Sequence, residues 1–332
     1  MTGQSMIYSG YNGTLLYQLS GGAPLDEFGM TITSLGDINK DSIPDFALLA
    51  KKNKTVHVYS GADVSLLFSL NNPLNSNSCF GISLGNPGDI NNDGFDDIMI
   101  GDTCAIDNRG KVYIYSGSNQ SLLMEKTGTN NFGYSMTKIG DIDLDNHSDI
   151  AVLGYQSVHI ISGQTQTVLK TLTLGDLSMM STLRKVAQIG DLNKDGVQDF
   201  AIFGIPSGAY GEVVAISGSN FSILFRKNDR IDGAGSLVFS ASDTFDYDSD
   251  GYNDFILADE ILNRVSIYSG KDQSLIDQIQ PIDSKKRQYF FGHSVNIMGN
   301  IHGSKKGAIL VNQLLYEKDC YYVGRVHAYQ LK

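Results

Sequence analysis

Residues 88–102 read GDINNDGFDDIMIGD. Acidic and amide residues alternate first, with Asp89, Asn91, Asp93 and Asp97 at positions 1, 3, 5 and 9 of a nine-residue loop, and an apolar run follows. The same stretch returns as GDINKDSIPDFALLA from Gly36, GDIDLDNHSDIAVLG from Gly140, GDLNKDGVQDFAIFG from Gly190 and FDYDSDGYNDFILAD from Phe245. The first aspartates fall at 37, 89, 141, 191 and 246, in steps of 52, 52, 50 and 55. A second motif alternates with the first: IYSG ending at Gly10, VYSG at Gly61, IYSG at Gly117, IISG at Gly163, AISG at Gly218 and IYSG at Gly270. A Phe-Gly pair precedes the acidic loop by nine residues at Phe28-Gly29, Phe80-Gly81 and Phe132-Gly133, and recurs at Phe291-Gly292. Six units of about 53 residues account for nearly all of the 332, so a single domain over residues 1–332 is expected.

Each unit reads as strands. In the third, Phe132–Ile139 is a short strand, the acidic loop turns the chain, and Asp149–Gly154, Ser157–Ser162 and Thr167–Leu172 supply three more. Four short strands per repeat, with no sustained helical period, predict an all-β fold: a β-propeller of four-stranded antiparallel blades. A sheet apolar on both faces buries them only against its neighbours, so the repeats should close into a ring. The count gives six blades, with seven as the alternative. The last unit lacks an outer strand, and Thr14–Leu19 (TLLYQL) is expected to supply it, fastening the ring.

Composition excludes several classes. There are 25 Lys+Arg against 36 Asp+Glu, a net charge of −11, which disfavours a nucleic-acid groove or an anionic membrane surface as partner. Hydrophobic content of 41% is ample for a core. No apolar run approaches the roughly 18–20 residues of a membrane span. The first ten residues, MTGQSMIYSG, lack the basic flank and apolar stretch of a secretory signal, so we expect an intracellular protein or a fragment or processed form of an exported one.

The acidic loops predict cation sites. Ligand positions are Asp37, Asn39, Asp41 and Asp45; Asp89, Asn91, Asp93 and Asp97; Asp141, Asp143, Asp145 and Asp149; Asp191, Asn193, Asp195 and Asp199; and Asp246, Asp248, Asp250 and Asp254. Alternating hard oxygens in a tight loop suit Ca²⁺, which takes six to eight, better than the rigid octahedron of Mg²⁺. Position 7 should add a backbone carbonyl, from Ile43, Phe95, His147, Val197 and Tyr252. Gly94, Gly196 and Gly251 at position 6 suit a left-handed turn, where Ser42 and Asn146 stand in the other two loops. Five structural Ca²⁺ would bring the charge from −11 to about −1. An EF-hand fits poorly, since it needs a Glu at position 12 and flanking helices. The bland alternative is a set of solvated Asp/Asn turns.

Phe-Gly, an acidic nine-residue loop and an apolar strand ending in Gly together resemble the FG-GAP repeat of the integrin α-subunit propeller. The Gly-Ala-Pro element is best kept at Gly204-Ile205-Pro206. Thr182-Leu183 and Leu237-Val238 replace Phe-Gly in two repeats, and the sixth loop, NIHGSKKG from Asn300, has no carboxylate and carries Lys305 and Lys306. The resemblance implies a calcium-stabilised adhesion module whose ligand face lies opposite the calcium loops.

No HExxH, P-loop or Cys/His metal cluster appears, and no catalytic residues are expected. His57, His159 and His327 share one place in the third strand of their units, which points to packing. The richest loops on the expected ligand face, residues 279–290 and 313–325, hold Lys286, Arg287, Tyr289, Tyr316, Tyr321 and Tyr322, an interface-like mixture of aromatic and basic side chains. Cys79 precedes the first strand of its unit and Cys104 follows the second, so a disulfide between them is expected, with Cys320 left over. That bond and weak calcium sites would both place the protein outside the cytosol or at the cell surface. The sequons at Asn12, Asn53, Asn119, Asn146 and Asn220 read as chance in so Asn- and Ser-rich a chain. Adhesion or protein recognition is the leading reading. A carbohydrate-binding propeller and the propeller domain of a secreted hydrolase or lyase are the alternatives.

Overall fold

The computed structural model describes residues 3–9, 14–22, 27–74, 78–179, 181–206, 211–228, 237–238, 246–259, 263–280, 289–298, 308–316 and 322–330. The chain divides into two compact units, Met1–Thr173 and Leu174–Lys332. Both are built almost wholly of antiparallel strands.

The first unit opens with a hairpin, β1 (Gln4–Tyr8) and β2 (Leu15–Ser20). Three four-stranded sheets follow. The first has β3 (Ile32–Ser34), β4 (Phe46–Ala50), β5 (Thr55–Tyr59) and β6 (Leu66–Asn71). The second has β7 (Phe80–Gly85), β8 (Ile98–Asp102), β9 (Lys111–Tyr115) and β10 (Leu122–Thr127). The third has β11 (Ser135–Gly140), β12 (Asp149–Leu153), β13 (Ser157–Ile161) and β14 (Val168–Thr173). The second unit carries two more such sheets and one of three strands. They are β15 (Ser181–Gly190), β16 (Asp199–Pro206), β17 (Glu212–Ile216) and β18 (Ile223–Asn228); then β19 (Leu237–Val238), β20 (Phe255–Asp259), β21 (Arg264–Tyr268) and β22 (Leu275–Ile279); then β23 (Tyr289–Met298), β24 (Ala308–Tyr316) and β25 (Tyr322–Gln330). Six sheets of three or four strands, ordered as the chain runs, are compatible with a propeller.

The packing follows from the pleat. Successive side chains of a strand face opposite sides, so a middle strand that is apolar throughout feeds two cores. In β8, Ile98 and Ile100 join Val56 and Val58 of the first sheet, while Met99 joins Ile150 and Val152 of the third. Tyr113 and its neighbours Val112 and Ile114 divide in the same way. In the second unit Phe203 and Ala215 meet Phe255 and Leu257, whereas Ile256 and Ile267 meet Val295 and Val311. Each such aliphatic or aromatic side chain contributes about 1.5–3 kcal/mol by leaving water.

Among the described residues most of Thr14–Leu19 forms β2, which takes β1 as its partner, with Gln4 opposite Ser20 and Ile7 opposite Tyr17. The sheet of β23, β24 and β25 has three strands among the described residues. A short connection makes the local hairpin the entropically cheaper pairing. The hairpin seats Leu19 on Phe28, Leu48 and Ala50 of the first unit. The Phe-Gly pairs differ slightly from the reading: Phe132 and Gly133 precede β11 as a turn in which Gly133 has φ +87°. Among the described residues no helix is long and apolar enough to cross a membrane.

Candidate cation-binding loops

Each acidic loop joins the first two strands of its sheet, so it sits where an antiparallel pair must turn. Its position-9 aspartate starts the buried second strand (Asp149, Asp199) or directly precedes it (Asp45, Asp97, Asp254). Asp45, Asp97, Asp149, Asp199 and Asp254 are 0–1% exposed. An ionised carboxylate so placed needs partners, and each has two sets. One oxygen accepts from the backbone N–H of position 2: Ile38 at 2.8 Å, Ile90 at 2.9 Å, Ile142 at 2.7 Å, Leu192 at 2.8 Å and Tyr247 at 2.6 Å. The other accepts from a glycine N–H across the sheet: Gly61, Gly117, Gly163, Gly218 and Gly270, at 3.0–3.2 Å.

Those glycines end the recurrent Ser-Gly motif, whose purpose the sequence reading left unassigned. The glycine is required sterically. A Cβ on Gly61, Gly117, Gly163, Gly218 or Gly270 would lie 1.8–2.1 Å from the carbonyl oxygen of loop position 8. The serine before it donates to the position-5 carboxylate: Ser60 to Asp41, Ser116 to Asp93, Ser162 to Asp145 and Ser217 to Asp195. The co-repetition of Ser-Gly with the acidic loop was the signal that could have revealed the contact.

Position 1 winds the loop. Asp37, Asp89, Asp141, Asp191 and Asp246 accept from the N–H groups of positions 5 and 6 at 2.7–3.1 Å. Position 6 has the expected left-handed φ, from 70° at Asn146 to 90° at Gly196. The position-7 residues Ile43, Phe95, His147, Val197 and Tyr252 each donate their N–H to the position-5 carboxylate. Asn39, Asn91, Asn193 and Asp248 accept from the position-5 N–H through their side chains.

The electrostatics leave a deficit of positive charge. Burial, with Asp93 and Asp89 adding repulsion, pushes Asp97 up to about 7, and burial with repulsion from Asp143 pushes Asp149 up to about 6. Burial raises Asp143 too, helped by Asp145 and Asp141, and it raises Asp199 and Asp254. Asp195 goes the other way, chiefly through the Ser219 hydroxyl, and Asp93 follows because hydrogen bonds from Ser118, Asn91 and others outweigh its desolvation. The donor set fits a hard cation. Asp141, Asp143 and Asp149 each bring a carboxylate oxygen within 4.8 Å of the others, and Asp246, Asp248 and Asp250 do the same. These are the two loops with Asp rather than Asn at position 3.

Other singled-out residues fall as follows. Cys79 and Cys104 are joined as a disulfide, with Cα atoms 5.2 Å apart. His159 packs edge-on against Phe132 at 5.2 Å and burial lowers its basicity, while His57 Nδ1 lies 2.8 Å from the Ser69 hydroxyl. Lys286, Arg287, Tyr321 and Cys320, and the sixth loop with Lys305 and Lys306, lie outside the described residues. Tyr289, Tyr316 and Tyr322 occupy strand ends, and the register sets Tyr289 against Leu315 and Tyr316 against Tyr322, placing all three at one end of their sheet.

No family model matches the chain. Integrin alpha-6 of Gallus gallus is 47% identical over 85 residues, 23% of this chain and 8% of the relative. Integrin alpha-4 of Xenopus laevis is 32% identical over 160 residues, 44% and 15% of the two chains. Integrin alpha-7 of Homo sapiens is 34% identical over 155 residues, 40% and 13%. The matches thus span no more than about a sixth of these relatives. Among solved structures, a crystal structure of BBS1N in complex with ARL6DN, soaked with lead, aligns with a TM-score of 0.57 at 10% identity, covering 89% of this chain and 81% of that one, a likeness of fold alone. Over parts of its length the chain is similar to integrin alpha subunits, consistent with an integrin alpha-like propeller of FG-GAP repeats.

Proposed function

We propose that the chain is a non-enzymatic, calcium-stabilised β-propeller domain over residues 1–332, which mediates adhesion or protein recognition outside the cell or at its surface. The observation that carries the calcium reading is the five-fold recurrence of a buried position-9 carboxylate amid other acidic oxygens. Without a counter-charge such clusters are costly to ionise. With Ca²⁺ the ligands would be the side chains at positions 1, 3, 5 and 9 and the carbonyl at position 7 of each loop. The cation supplies positive charge that cross-links the first turn of each sheet, so its binding energy becomes folding energy.

Carboxylates committed in this way leave no free acid–base pair in the acidic loops, and His57, His147 and His159 engage in packing or hydrogen bonds, which favours recognition over catalysis. Similarity to integrin alpha subunits supports a protein ligand. We place that ligand on the loop face opposite the acidic loops, around Lys286, Arg287, Tyr289, Tyr316, Tyr321 and Tyr322. The backbone register of the last sheet supports this, since its three strand-end tyrosines lie away from the turn joining β23 to β24. The Cys79–Cys104 bond favours an oxidising compartment.

Attachment of cells to a surface coated with the chain tests the function. Attachment that needs calcium and is lost in a Tyr316→Ala/Tyr322→Ala variant is expected. Equal attachment to the coated surface and to an albumin surface would overturn the adhesion reading.

A further inference from the structure

Position 4 of each acidic loop belongs to no ligand set: it is Lys40, Asn92, Leu144, Lys194 and Ser249. All five residues hold left-handed φ, between 56° and 63°. That conformation is uncommon outside glycine, so the winding of the loop imposes it. In three loops the side chain reaches the loop that follows. Lys40 donates its ammonium to the Gly94 carbonyl and lies 4.2 Å from the centre of the Phe95 ring. Asn92 Nδ2 is 2.7 Å from His147 Nε2. Lys194 Nζ is 3.5 Å from the centre of the Tyr252 ring. The chemistry differs each time, but the target is the same: positions 6 and 7 of the next loop.

We propose that position 4 of one acidic loop is a positioning residue for the cation site of the next, so that neighbouring loops fill cooperatively. The inference rests on the calcium reading above. A cation fixes the winding of its own loop and thereby aims the position-4 side chain. That side chain then restrains position 7 of the following loop and reduces the ordering that filling it requires. The ammonium of Lys194 also carries charge, which by itself would repel a cation from the fifth loop. Ordering and repulsion predict opposite signs, so a measurement separates them.

The fifth loop alone has a tyrosine at position 7, where the others have Ile43, Phe95, His147 and Val197. Terbium(III) luminescence sensitised through Tyr252, isolated as the difference between the full chain and its Tyr252→Phe variant in each background, therefore reports that loop. Lys194→Ala should raise the half-saturating terbium concentration of this signal by about five-fold or more, the lower range of coupling between sites. Lys194→Arg, which keeps a cation over the ring, should restore it. A purely structural role would lower the melting temperature without moving half-saturation. Unchanged or tighter terbium binding in Lys194→Ala overturns the proposal. Absence of terbium binding to the unaltered chain would instead overturn the calcium reading, and the coupling with it.

Discussion

Gly163→Ala probes the join between the Ser-Gly turn and the acidic loop. The Gly163 N–H donates to Asp149 Oδ1 at 3.0 Å, and a Cβ at this residue would stand 2.1 Å from the Ser148 carbonyl oxygen. Backbone atoms cannot rotate aside as a side-chain tip can, so the turn must shift and release the hydrogen bond. Asp149 is fully buried and already hard to ionise, and losing a donor to a buried carboxylate costs about 1.5–3 kcal/mol. With the displaced packing included, we expect about 2–4 kcal/mol of destabilisation. Gly94→Ala is the control. Its φ is +87°, but nothing lies within 4 Å of an added Cβ, so only backbone strain of about 1–2 kcal/mol applies. Urea unfolding followed by far-UV circular dichroism measures both. If Gly163→Ala unfolds at the urea concentration of the unaltered chain, or costs no more than Gly94→Ala, the linkage between turn and loop is refuted.

Asp97→Asn replaces two acceptor oxygens with one, so either the Ile90 or the Gly117 N–H faces an amide NH₂; a loss of about 1–3 kcal/mol is expected by the same unfolding assay. In EDTA the pH dependence should have an unusual sign. Asp97 and Asp149 titrate near 7 and 6 in the fold, against about 3.9 in an unfolded chain, so the fold binds their protons more tightly. Their contribution is therefore greatest below about pH 4 and is lost as pH rises through 6 and 7. Saturating calcium, which binds the ionised form, should reverse that trend in melting temperature between pH 5 and 7.5. Reducing the Cys79–Cys104 bond frees a 25-residue separation and should cost about 3 kcal/mol, seen as a lower midpoint in urea with dithiothreitol.

The repeat and its loop were legible in sequence because their acidic residues are local: nine residues hold all the Asp and Asn side chains of the loop, and their order survives any error in strand boundaries. In the third sheet β12 and β13 each end one residue before the expected strand, while β11 starts three residues after it. The support of the loop was less visible. Gly163 lies 14 residues beyond Asp149, and only the antiparallel register brings the two together. The contacts of position 4 were hidden more deeply, because they cross from one sheet to the next and use Lys, Asn and Lys for one geometry. Strand counting ranks partners by what is missing, so it did not point to the local partner that β2 takes, the strand nearest along the chain.

The central claim is that five acidic turns are calcium sites and the sixth is not. Anomalous diffraction from crystals of the full chain grown in millimolar calcium tests it most directly. The account predicts one peak among the carboxylates of each loop that begins at Asp37, Asp89, Asp141, Asp191 and Asp246, and none at residues 300–307. Five loops without a peak at that concentration would contradict it.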